Sequence, residues 1–181
     1  SPANDTDVYL GLNGGVHGGT NIAYSMLPQY KVAITNAKYA TFYAPVAVTV
    51  PDGVTAHTVT INGDWATLSE PLATIPAYTG VVLYSETPNT YTFTVTTTDV
   101  TVENNALEGT VAATYVTDDA YVLGVVDGTV GFYKAVTSGQ ADGTFLNNHH
   151  KAYLPKAAGM NLASYSFRFG DGTTGIEQIT D

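Results

Sequence analysis

Short runs of alternating β-branched and aromatic residues, parted by Asn-Gly and Asp-Gly pairs, constrain this chain more than any other feature. The pairs are Asp52-Gly53, Asn62-Gly63, Asp127-Gly128, Asp142-Gly143 and Asp171-Gly172. Asn, Asp and Gly tolerate the positive φ that two-residue hairpin turns demand, so such a pair between two apolar runs predicts an antiparallel hairpin. Residues 57–61 (HTVTI) lead into Asn62-Gly63, and Trp65 opens the return strand. Residues 121–126 and 129–136 flank Asp127-Gly128. Residues 90–97 (TYTFTVTT) place Tyr91, Phe93 and Val95 on one face and threonines on the other, and 164–169 (SYSFRF) repeat the pattern. Period-two patterning of this kind packs one face and wets the other.

Weaker strands are expected at 31–35, 81–84 and 151–154. A longer run at 39–50 is interrupted by Pro45, which cannot donate to a ladder. Helical spacing is poor throughout, and the best candidate is a single turn at 104–107. Many short strands with turn signals between them predict an all-β, antiparallel β-sandwich, with barrel-like closure as the alternative. The expected organisation is an N-terminal arm or the end of a preceding domain (1–30, glycine-rich and less regular), a sandwich domain (31–172) and a tail (173–181). The opening Ser1-Pro2-Ala3-Asn4-Asp5 reads as a cut inside a longer protein, so covalently linked neighbouring domains are expected.

Charge narrows the function classes. The chain has 6 Lys+Arg against 16 Asp+Glu, a net charge of −10. A nucleic-acid binder needs a basic footprint to neutralise phosphates, and none is present. No apolar run approaches the ~20 residues of a membrane span. Charged residues are only 12% of the chain, about half the usual ~25%, leaving Thr, Asn, Gly and Tyr to cover the surface. That profile suits a secreted or cell-surface β protein. There is no Cys, so neither disulfides nor cysteine-held zinc contribute.

Catalytic motifs are absent. No Gly-x-Ser-x-Gly elbow occurs. His57 falls in phase with Val59 and Ile61, as a strand residue rather than a base. Most Asp precede Gly in turns, where they cap backbone groups, and no Glu pair suggests a glycosidase. His149-His150 are adjacent, so on a strand their rings would diverge. Asp5-Thr6-Asp7 and Asp118-Asp119 admit a structural Ca²⁺, although neither is an EF-hand loop. No other cofactor is expected, and the chain reads as a non-enzyme.

Aromatic surface is the most informative chemistry left: 13 Tyr, 6 Phe and 1 Trp. A flat ring with polar neighbours stacks on the C–H face of a sugar while hydrogen bonds read its hydroxyls. Trp65, beside a hairpin tip, is a candidate platform. Tyr84 and Tyr133 alternate out of phase with Leu83 and Phe132 and are expected to face solvent. Tyr78 lies in the 75–80 loop. These four residues are the expected ligand contacts.

Several segments together resemble a known family. They are 39–48 (YATFYAPVAV), 75–83 (IPAYTGVVL), 120–123 (AYVL), 131–134 (GFYK), 151–155 (KAYLP) and 167–177 (FRFGDGTTGIE). In order and spacing they resemble a β-rich domain near the C-terminus of secreted Bacteroidetes proteins, in which a sorting tail usually follows the Thr-Gly-Ile-Glu stretch. The likeness covers residues 31–177. It implies export and a setting where polysaccharide is a common target. It supplies no catalytic motif, because such domains follow glycoside hydrolases, proteases and repeat proteins alike. The expected function is that of a non-catalytic carbohydrate-binding accessory module of a polysaccharide-degrading protein, binding a neutral plant glycan. The alternative is a structural spacer or adhesion domain without glycan binding.

Overall fold

The structure is a computed structural model, which describes residues 28–135 and 145–170. The expected arm up to residue 27, Asp5-Thr6-Asp7, the Asp142-Gly143 and Asp171-Gly172 turns and the tail lie outside the described residues. The described residues from 31 onward belong to one compact unit. Among the described residues there is no helix; the fold is all-β.

Three sheets build the core. A four-stranded sheet runs β1 (Gln29–Ile34), β9 (Asn89–Val95), β3 (Val48–Thr49), β7 (Thr74–Ile75). A three-stranded sheet runs β2 (Tyr39–Phe42), β8 (Val81–Tyr84), β4 (Thr55–His57). A seven-stranded sheet runs β10 (Glu108–Thr110), β15 (Lys151–Pro155), β12 (Ala120–Val126), β13 (Thr129–Lys134), β16 (Ser164–Phe169), β6 (Trp65–Leu68), β5 (Val59–Asn62). A two-stranded ribbon, β11 (Thr114–Val116) with β14 (Phe145–Asn147), completes the set among the described residues.

The three-stranded sheet is the middle layer. Every residue of β2 is buried, and so are Val81, Val82 and Leu83 of β8. Tyr39 and Val82 join the core cluster of the seven-stranded sheet, with the Tyr39 ring 5.1 Å from that of Phe167. On the other face, Phe42 stacks on Phe93 of the four-stranded sheet at 5.2 Å. A strand covered on both faces is apolar at nearly every position, the exception in β2 being Thr41, whose hydroxyl accepts from the Ala152 amide. That is why VVLY at 81–84 does not alternate while TYTFTV in β9 does.

The hairpins follow the turn pairs, with one shift. Val126 pairs with Thr129 around Asp127 (φ 51°) and Gly128 (φ 78°), two positive φ values that mark a type I′ turn. At the other hairpin Asn62 itself pairs with Trp65, so Gly63 and Asp64 are the central residues. Only Gly63 of these two has positive φ (60°), the II′ pattern.

Two expected strands break because the chain changes sheets. Residues 57–61 are not one strand: β4 ends at His57 in the middle layer and β5 begins at Val59 in the seven-stranded sheet. His57, Thr58 and Val59 are buried in succession at this corner, where both sides are covered. The 39–50 run divides likewise into β2 and β3 across Pro45. The pairing of β16 with β6 is parallel and brings Trp65 opposite Ser166.

The expected helical turn at 104–107 does not form. Asn104 has φ 59°, and the Asn105 side chain holds the connector in place. Asn105 Oδ1 accepts from the Val59 and Leu107 amides, and its Nδ2 donates to Gly80 O. A side chain that takes the N–H two residues on competes directly with helix.

Candidate functional site

Of the four expected contacts, Tyr78 is the one presented outright. The residue is 65% exposed. The backbone there has φ 55°, a left-handed conformation that costs a non-glycine residue roughly 1–2 kcal/mol. Packing imposes it. Tyr78 N donates to Ala44 O at 2.7 Å, fixing one side of the reversal between β7 and β8. On the other side, Gly80 is pressed so closely that a Cβ would meet those of Leu107 and Ala152 at 3.0 and 3.1 Å. Strain of this kind is a pointer toward function.

Tyr78 is not alone. Its ring stands edge-on to Tyr43, with centroids 6.2 Å apart. Tyr43 in turn lies against Gly109, at the free edge of the seven-stranded sheet. Next to Gly109 is exposed Glu108, whose strand partner is Tyr153. The Tyr153 hydroxyl donates to Glu108 Oε1 at 3.3 Å. Electrostatics tie the group together. Burial raises the Tyr43 pKa, and the Tyr78 phenol and Glu108 carboxylate raise it further. Burial likewise raises that of Tyr153, followed by Glu108. Both phenols therefore stay protonated donors through neutral pH. The outcome is a tyrosine-rich rim around one carboxylate, able to offer ring faces, hydroxyl donors and a strong acceptor side by side.

Trp65 and Tyr133 share a different surface, the outer face of the seven-stranded sheet. The strand register runs Trp65, Ser166, Gly131 across three strands, and Tyr133 follows two residues beyond Gly131. The Arg168 guanidinium lies over the indole, 5.4 Å from the ring centroid, and occupies one of its faces. Tyr133 leans over Gly124, and its hydroxyl donates to Thr129 O at 2.7 Å. Tyr84 turns inward instead. Its ring packs 5.0 Å from Tyr39 and its hydroxyl donates to Glu86. Burial, then the Glu86 hydrogen bond, pushes its pKa up to about 12.

His57 is a strut. Its Nδ1–H donates to Ser69 O at 2.7 Å, which leaves Nε2 to accept the Thr55 hydroxyl at 2.8 Å. Hydroxyl, imidazole and carbonyl in a chain superficially resemble a nucleophile with its base. The residue is only 3% exposed, however, and its ring packs edge-on to Phe169 with centroids 5.6 Å apart. His150 is held by Tyr43 O at 3.0 Å rather than presented as half of a metal pair. Among the described residues no three His, Asp or Glu side chains converge, and Asp118 and Asp119 are exposed. No helix there is long and apolar enough to cross a membrane.

Tyr43 and Tyr153 were missed from sequence for different reasons. Tyr153 stands between buried Ala152 and Leu154, the same out-of-phase signal that selected Tyr84 and Tyr133. Tyr43 lies just past the end of β2 and carries no local signal; only the fold brings it to Gly109. Comparison with known proteins adds nothing to this geometry: no family profile, no characterised protein and no solved structure matches the chain.

Proposed function

We propose that this chain is a non-catalytic carbohydrate-binding accessory module of a secreted or cell-surface protein, and that it binds a neutral glycan at the Tyr78 rim. The observation that carries this reading is Tyr78 itself: an exposed aromatic ring held in a strained backbone conformation, with Tyr43 beside it and Glu108 and Tyr153 close by. A sugar ring would stack on Tyr78, while Glu108 would accept from its hydroxyls and the protonated phenols would donate. The net charge of −10 disfavours polyanionic chains by long-range repulsion, which is why the glycan is read as neutral.

The test is calorimetry or affinity electrophoresis against soluble xylan and β-glucan, with wild type and Tyr78→Ala compared. Saturable binding that weakens at least tenfold in the variant, equivalent to about 1.4 kcal/mol, is the expected result. A blank across neutral plant glycans would sink the reading and leave the spacer alternative.

A further inference from the structure

Strands β12 and β15 pair only through Ala120–Pro155 and Tyr121–Leu154 and then part. Where they part lies a cleft of about 590 Å³. Its volume falls within the range of small-ligand sites. Val122 and Leu123 line one side, Phe145 and Leu146 of β14 another, and Thr35, Thr41 and Asn148 add polar groups. Lys151 is the only charged residue in the described lining.

Lys151 is unusual in this protein. It is half-buried, and burial alone draws its pKa below the ordinary value. Sixteen acidic residues are available, yet none among the described residues pairs with it. The other lysines with described side-chain contacts are satisfied: Lys38 pairs with Glu86, and Lys31 donates to the Thr92 hydroxyl. The position of Lys151 is also deliberate in its backbone. Asn147 Nδ2 donates to both Lys151 O and Thr110 Oγ1, fixing the start of β15 against β10. A cation withdrawn from water between apolar walls gains from an anion delivered into the same space.

We propose that this cleft receives one carboxylate-bearing sugar, a uronic acid carried as a branch on an otherwise neutral glycan, with Lys151 as its counter-charge. The net charge of −10 works against a polyuronate, while a single local cation selects a single carboxylate. Thr35, Thr41 and Asn148 supply hydrogen-bonding groups for sugar hydroxyls, and Val122 and Phe145 face its C–H surfaces. The cleft adjoins the Tyr78 rim through Tyr153, whose ring packs 5.8 Å from Phe145. The inference rests on the glycan-binding reading in naming a sugar as the carrier of the charge.

The experiment titrates the intact protein, by calorimetry and by ¹H–¹⁵N shifts, with four probes. These are a linear xylo-oligosaccharide, the same oligosaccharide with one glucuronate branch, free glucuronic acid, and acetate. The branched probe is expected to bind about tenfold tighter than the linear one. Lys151→Gln should erase that preference and leave the linear probe unaffected, while Tyr78→Ala should weaken both oligosaccharides and leave free glucuronic acid unaffected. Equal affinity for the two oligosaccharides, or a preference that survives Lys151→Gln, overturns the proposal, as does acetate binding as tightly as glucuronic acid. If neither oligosaccharide binds but glucuronic acid does so through Lys151, the Tyr78 reading fails and the cleft assignment stands.

Discussion

Gly109 and Tyr43 occupy one continuous space: a Cβ built on the glycine would run into the Tyr43 ring. The ring is thereby laid against the edge of the seven-stranded sheet, in the position from which it meets Tyr78. Gly109→Ala must displace Tyr43 near its root, since the clash reaches Cγ and Cβ rather than the flexible end of the side chain. We expect a loss of about 1–3 kcal/mol by urea denaturation, the usual cost of overpacking. Glycan affinity should fall with it, and Tyr43→Ala on the Gly109→Ala background should restore stability without restoring binding.

Tyr78 separates strain from function. Glycine adopts φ 55° freely, whereas alanine keeps the steric penalty. Tyr78→Gly is therefore expected to be more stable than Tyr78→Ala by about 1 kcal/mol, measured by thermal or urea unfolding. Both should lose binding alike. Equal stability of the two variants would show that the left-handed turn relaxes once the ring is gone.

Trp65 is the single tryptophan, so its fluorescence reports one site. Arg168 covers one face of the indole. Arg168→Ala should raise quenching by acrylamide and cost no more than about 1 kcal/mol, the scale of an exposed cation–π contact. Unchanged quenching would mean that Arg168 does not shield the ring in solution.

His57 sets a limit toward acid. Burial lowers its pKa from 6.5, outweighing the opposing effects of the Ser69 hydrogen bond and the Glu70 charge. The unfolded chain therefore takes up a proton at a pH where the native ring is still neutral. Stability is unaffected by this group above about 6.5 and declines as pH falls from there to the native pKa, no faster than about 1.4 kcal/mol per pH unit. Urea midpoints between pH 7 and 5 should fall in wild type and fall less steeply in His57→Gln. Parallel slopes in the two proteins would remove His57 as the cause.

The strands were legible where one face is wet and the other packed. β9, β16 and the β12–β13 hairpin follow directly from their alternation and turn pairs. The sheet change at Thr58 was not legible, because a corner residue buried on both sides looks like a continuation of its strand, whereas Pro45 marked a break without revealing that the chain enters another sheet there. Short edge strands such as β10 and β11 escaped as well; with three residues each, they are held by their partners rather than by any pattern of their own.

For the site, the sequence by itself determined that the surface would be rich in tyrosine, poor in cations and punctuated by turns, because composition and local φ preferences are properties of the chain. It also singled out Tyr78 as a loop aromatic. Only the tertiary structure decided that Tyr78 meets Tyr43 beside Glu108, that Arg168 lies over Trp65, and that Tyr84 turns inward. Those relationships depend on which strands become neighbours, and β16 beside β6 or β2 beneath β15 joins residues about a hundred positions apart. Long-range pairing of that kind is selected by how whole sheets bury their apolar faces, which no local window of sequence contains.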